Sequence, residues 1–310
     1  MTDFTLPKGK GMFVYKCKHA GENERDAIYA TGTAEKVASE CKKAGITYVI
    51  VKCLDGTWKY NQRPIEWDNA GNTIKWVDDL LQPWVQTLHS AGIQVWGYQY
   101  VYLNYPEQEG DAALERTPAM GLDGLYIDAE IEAKKNASKT AKYTARLLNA
   151  PFPIGLCSYR YPSLHPELAW RTFLNICDFN APQVYWEGAH NPAKQLADAY
   201  LEHKNILKSN LPFLPVGSAY TPGSSWSATP EDVIAFMKKA ETLGFPSVSF
   251  WEWYNIKRYL PQNWDAIATY QYGDVVIPEP EPEPEQPPQY SLEEKVERLW
   301  NAHKELWEGG

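Results

Sequence analysis

Leu122-Asp123-Gly124-Leu125-Tyr126-Ile127-Asp128-Ala129-Glu130 is the stretch that decides how the rest of the chain is read. Side chains alternate across a strand, so Leu125, Ile127 and Ala129 face one way while Tyr126, Asp128 and Glu130 face the other. An apolar set on one side suits burial under helices, and the opposite set then points into the mouth of a parallel barrel. Asp128 and Glu130 are two positions apart, which separates their Cα atoms by roughly 6.6 Å.

Outward from this strand, strand-like and helix-like patterns alternate, the signature of a parallel α/β sheet. Strands are expected at Met12–Cys17, Tyr48–Cys53, Val95–Tyr102, Gly124–Ile131, Ile154–Tyr159, Pro182–Trp186, Leu214–Ala219 and Ser247–Trp253, eight in all. Helical patterns cover Ala34–Ala44, Trp76–Ala91, Ala137–Leu148, Pro192–Leu207 and Glu231–Leu243. Ala44-Gly45-Ile46, Ala91-Gly92-Ile93, Met120-Gly121-Leu122 and Leu243-Gly244-Phe245 repeat one device, a helix-closing glycine before a strand. Thr229-Pro230-Glu231-Asp232 is the complementary start signal, a capping hydroxyl followed by proline and acids. The expected fold is therefore an α/β (β/α)8 TIM barrel over residues 9–275. A doubly wound open sheet is the alternative; the count of eight and the lack of a Gly-x-Gly-x-x-Gly turn disfavour it.

Beyond the barrel, residues 276–290 form a Pro/Glu-rich linker in which Pro and Glu alternate over Pro278–Glu285, a composition that extends and self-repels. Residues 291–308 read as a short amphipathic helix with Leu292, Val296, Leu299 and Leu306 on one stripe. So short a helix is marginal alone, and docking to a partner or self-association is its expected use, with packing back on the barrel the alternative.

The net charge of −9 argues against nucleic acid or an anionic membrane as partner. No apolar run reaches membrane-spanning length, and the N-terminus lacks a signal-peptide core. Cys17, Cys41, Cys53, Cys157 and Cys177 read as free buried thiols of a protein made in a reducing cytoplasm. No Cys-x-x-Cys or His-Glu-x-x-His spacing occurs, so neither a metal nor a cofactor is expected. The 13 Trp and 20 Tyr exceed what a core of this size needs, and such rings suit stacking on sugar faces.

Two carboxyls as close as Asp128 and Glu130 do not both ionise freely, and one pKa should rise toward neutrality. That is the state a general acid needs to protonate a glycosidic oxygen, and Glu130, nearer the strand end, is the expected donor. The competing reading is a barrel ion-pair cluster with Lys16 or Lys52.

Asp123-Gly124-Leu125-Tyr126-Ile127-Asp128-Ala129-Glu130 resembles the fourth-strand motif of family-18 chitinases, Asp-Gly-x-Asp-x-Asp-x-Glu, with Tyr126 in place of the middle Asp. Val51-Lys52-Cys53-Leu54-Asp55-Gly56 and Ala91-Gly92-Ile93 resemble second- and third-strand segments of family-25 lysozymes, which also carry Asp-x-Glu on strand four. The resemblance implies a glycosidase-superfamily barrel in which Glu130 is the acid and Asp128 orients the acetamido group that attacks the sugar carbon. It further implies that Tyr185, with Gln183, holds that group and that Trp251 forms the floor under the sugar. Parity agrees, since Val184, Val248 and Phe250 take the helix-facing side and leave Gln183, Tyr185, Ser249 and Trp251 inward. The same parity sends Glu252 outward. Tyr98, Tyr100, Tyr126, Tyr159, Lys52 and Asp55 complete the expected substrate-binding set.

Two departures stand out: no acid on Gly11-Met12-Phe13-Val14-Tyr15, where family-25 lysozymes have one, and no Asp beside Tyr185, where family-18 chitinases usually have one. The reading that follows is a glycoside hydrolase acting on N-acetylated glycan, peptidoglycan ahead of chitin, such as a phage product released by lysis or carried on the virion. The rivals are a non-catalytic glycan-binding or structural barrel, as in a phage tail, and a Schiff-base enzyme using Lys52 or Lys16.

Overall fold

The computed structural model describes residues 4–17, 32–67, 73–77, 80–223 and 225–273. The expected linker and C-terminal helix, residues 276–308, lie outside them. Parallel strands occur at β1 (Gly9–Val14), β2 (Ile46–Asp55), β3 (Gln94–Tyr100), β4 (Leu125–Asp128) and β5 (Ile154–Cys157). They continue at β6 (Phe179–Asn180 and Gln183–Val184), β7 (Val216–Ser218) and β8 (Ser247–Trp251).

Pairing runs β1 to β2, β3, β4 and β5 on one side and β1 to β8 and β7 on the other, all parallel. The ring closes through β6. Its first half pairs with β5 and its second half with β7. Pro182 brings no N–H, which splits the strand, but the N–H of Ala181 donates to Leu156 O and that of Val216 to Pro182 O. Among the described residues the parallel strands thus occupy eight positions of a closed barrel, as the sequence predicts.

Helices α1 (Ala34–Ala44), α2 (Leu81–Ser90), α3 (Pro106–Ala119), α4 (Ala137–Leu147), α5 (Trp170–Leu174), α6 (Pro192–Asn205) and α7 (Pro230–Thr242) follow the first seven strands. The helices α8 (Trp253–Tyr259) and α9 (Pro261–Thr269) follow β8. Gly45, Gly92, Gly121 and Gly244 take φ of 62°, 78°, 71° and 72°, the left-handed conformation their helix-stop role requires. Thr229 closes a capping box with Asp232 at the start of α7.

One helix is corrected. Trp76 and Val77 belong to a strand, Thr73–Val77, antiparallel to Arg63–Trp67, and the helix begins only at Leu81. Thr, Ile, Trp and Val in this run favour a strand over the helical spacing that links it to the later residues. Strand one also sits about one turn of sequence earlier than expected, at Gly9–Val14.

Two apolar layers follow the predicted parity. Leu125, Ile127, Ala129, Val184, Val248 and Phe250 lie between sheet and helices. Phe13, Tyr48, Trp96, Tyr98, Tyr126 and Phe179 fill the barrel interior. Small inward residues admit these rings: a Cβ on Gly124 would lie 2.2 Å from Trp96, and one on Gly155 would lie 2.1 Å from Phe179. Much of the aromatic excess is therefore barrel filling. Among the described helices none is long and apolar enough to cross a membrane. The five cysteines are buried and free.

Candidate active site

The fourth strand is pinned before it reaches the mouth. Asp123 Oδ2 accepts from the N–H of Val95 at 2.6 Å and meets His89 Nε2 at 2.8 Å, tying the start of β4 to that of β3. Asp178 repeats the device, accepting from the N–H of Ile154 at 2.8 Å. The leading Asp of the motif is thus a brace, and Gly124 makes room for Trp96.

At the other end of β4, Asp128 faces inward and is 7% exposed, while Glu130 is half-buried just past the last strand residue. Gln183, reaching across from β6, joins them. Its Nε2 donates to Asp128 Oδ1 at 3.0 Å and to Glu130 Oε1 at 2.9 Å, so both amide hydrogens are used. Burial first, then the negative charge of Glu130, pushes the Asp128 pKa well above the carboxylate range; Lys52 and Gln183 pull the other way. The sequence expects the raised pKa at the acid nearer the strand end, and the structure locates it on the deeper one, because depth sets desolvation.

Around the pair stand aromatic and polar groups from neighbouring strands. Trp251 rests on Phe13 and Tyr98, with ring centroids 5.5 and 6.0 Å away. Tyr185 is half-buried, and burial raises its phenol pKa well above the ordinary value. Tyr100 donates to Glu132 at 2.5 Å. Tyr159 lies flat against His165, 3.6 Å between centroids. Lys52 pairs with Asp55 at 3.2 Å and sits over the rings of Tyr15 and Tyr60. Asp55 is engaged with Lys52 and with the hydroxyl of Tyr102 at 3.2 Å.

Two expected substrate contacts are corrected. Tyr126 is 0% exposed, packed among Phe13, Trp96 and Phe179, and Tyr98 is buried under Trp251. Alternation gives their direction correctly, but both sit a layer too deep to meet a ligand. Glu252 is no mouth residue either: its carboxylate accepts from the N–H groups of Tyr254 and Asn255 and caps α8.

Sequence reasoning missed Glu132, Tyr220 and the Lys134–His165 contact. Glu132 continues the two-residue spacing of Asp128 and Glu130, a signal that was there to read; the others lie on loops without periodicity. Among the described residues no group of three or more His, Cys, Asp or Glu is placed to hold a metal.

No protein-family model matches the chain, and no curated protein matches it in sequence. Solved structures match its fold. The PgaB (BpsB) glycoside hydrolase domain from Bordetella bronchiseptica aligns at TM-score 0.55 and 11% identity, covering 86% of this chain and 100% of that one. A chitinase from Chromobacterium violaceum aligns at 0.55 and 10% identity, covering 84% and 98%. The spore cortex-lytic enzyme SleL from Bacillus megaterium aligns at 0.50 and 10% identity, covering 85% and 74%. The chain has the barrel fold of these glycoside hydrolases.

Proposed function

We propose, starting from the barrel shared with glycoside hydrolases, that the protein hydrolyses a glycan built of N-acetylated sugars, peptidoglycan ahead of chitin. The observation that carries this reading is the Gln183 amide holding Asp128 and Glu130 together at the strand ends, where barrel enzymes keep their chemistry.

Burial and the neighbouring Glu130 charge raise the Asp128 pKa, and in this reading Asp128 stores the proton of the resting pair. As substrate enters, Glu130 takes that proton and gives it to the glycosidic oxygen while the bond from that oxygen to the sugar carbon breaks. The acetamido oxygen of the same sugar forms the new bond to that carbon, so no second carboxylate is needed as nucleophile. Asp128, now ionised, accepts from the acetamido N–H, and the Tyr185 hydroxyl steadies the acetamido oxygen. Water then opens the cyclic intermediate, with Glu130 removing its proton. Trp251, held from below by Phe13 and Tyr98, offers its face to the sugar. Names among the fold neighbours, a chitinase and a spore cortex-lytic enzyme, support the substrate class.

Release of reducing ends from purified peptidoglycan and from chitin oligosaccharides tests the reading. Glu130→Gln is expected to lower kcat by about 10²- to 10⁴-fold in a folded protein. No reducing ends from either glycan, or an unchanged rate in Glu130→Gln, would sink it.

One observation favours a second reading, a barrel that binds glycan without cleaving it: the inward position of β1 is held by the buried ring of Phe13 and carries no acid. Retention on insoluble wall material with no turnover would select that reading.

A further inference from the structure

Three basic side chains stand on the loops after β4 and β5, at the same end of the barrel as Asp128 and Glu130: Lys134, Arg160 and His165. Lys134 Nζ donates to His165 Nδ1 at 2.8 Å, which leaves the imidazole proton on Nε2. The imidazole lies flat on Tyr159, and Lys134 sits 4.7 Å from the centre of the same ring. Arg160 is braced on Tyr161 at 5.0 Å.

A lysine ammonium makes its strongest hydrogen bonds to carboxylates. Here neither Lys134 nor Arg160 has a carboxylate within ion-pair distance among the described residues. The cluster is therefore a set of donors on two neighbouring loops whose two cations have no ion-pair partner among the described residues, with the Glu167 charge also acting on His165. It borders the acid pair: the Tyr159 phenol beneath it is raised to about 12, by burial first and then by the charges of Glu130 and Glu132. Burial and the Lys134 charge lower the pKa of His165, so the imidazole stays a neutral donor while the two cations supply the charge.

We propose that this rim is a subsite for a carboxylate carried on a sugar of the bound glycan, beside the sugar whose bond meets Glu130. The proposal rests on the reading of the mouth as a glycan site and narrows its substrate to an acidic polysaccharide. A lysine ammonium, a guanidinium and an imidazole N–H are each donors suited to a carboxylate. A neutral glycan leaves them solvated and gains nothing there. The carboxylate could come from a lactyl ether, as in peptidoglycan, or from a uronic acid; the two share this chemistry.

Binding to the full-length Glu130→Gln protein, followed by calorimetry, separates the possibilities. The probes are a neutral N-acetylglucosamine oligosaccharide, a peptidoglycan glycan of equal length, the same glycan with its carboxyls reduced to alcohols, and a uronic-acid oligosaccharide. At least one carboxylate glycan is expected to bind about tenfold tighter than its reduced counterpart, the scale of one charge-assisted hydrogen bond. Lys134→Gln and Arg160→Gln should each shrink that advantage severalfold and leave neutral binding unchanged. Whichever acidic glycan binds tighter identifies the source of the carboxylate. Equal affinity for native and reduced glycans overturns the subsite, as does a loss in the variants that is the same for neutral and acidic probes, or binding of no glycan at all. Carboxylate-selective binding without turnover by the wild-type protein would keep the subsite and remove the hydrolase. Turnover indifferent to carboxyl reduction would do the reverse.

Discussion

The Asp128 carboxyl is 7% exposed and faces both Glu130 and Gln183, so ionising it costs desolvation and like-charge repulsion. Its native pKa lies above that of the unfolded chain, about 3.9. Between those two values the folded protein binds more protons than the unfolded one, so stability is fully present below the unfolded pKa and falls as pH rises through the native one. Asp128→Asn removes the titration, and its amide can turn its carbonyl toward Gln183. Thermal unfolding should then give matching midpoints near pH 4 and a variant that gains on the wild type as pH rises, by roughly 2–4 °C for each kcal/mol of penalty relieved. A difference that does not change with pH would refute this. At this scale alternation agrees with the resemblance on the inward direction of Asp128, Glu130, Gln183, Tyr185 and Trp251, because direction along a strand is a local property. Tyr98 and Tyr126 share that direction and still fail as ligand contacts, because depth in the barrel is not local.

Single elements owe their ends to specific polar groups. Thr229 accepts from the N–H of Asp232 at 3.2 Å, and Asp232 Oδ2 accepts in return from the N–H of Thr229 at 3.0 Å. Thr229→Ala should cost about 1 kcal/mol in denaturant unfolding. An unchanged midpoint would mean that the cap contributes nothing. Glu109 does similar work on the loop that follows β3. Buried at 1% exposure, its carboxylate accepts from the N–H groups of Tyr102, Leu103 and Tyr105, which shapes the turn beside Tyr100. The Thr229 cap could be read in the sequence because its partners are three residues apart. The Glu109 clamp could not, since a glutamate inside a helix looks like any solvated one until the chain folds back over it.

At the scale of the whole molecule, closure through a strand broken at Pro182 brings Gln183 opposite β4 and so assembles the site. The barrel unit ends at Val275 and holds its own two-layer core. A chain cut after Val275 is expected to unfold in one cooperative transition at the midpoint of the full chain; a lower midpoint would show that the residues beyond it stabilise the barrel.

Periodicity, alternation and helix-stop glycines depend on neighbours within a few residues, so the sequence by itself determined the eight strands, part of the helix layer and the side on which each inward residue stands. What no local pattern contains is how far up the barrel each residue lies and what faces it from another strand. That depends on strand stagger and closure. The tertiary structure alone decided that Tyr98 and Tyr126 fill the interior and that one amide ties two acids together. It also decided that burial raises the Asp128 pKa, and that a lysine and a histidine from separate loops meet at the rim.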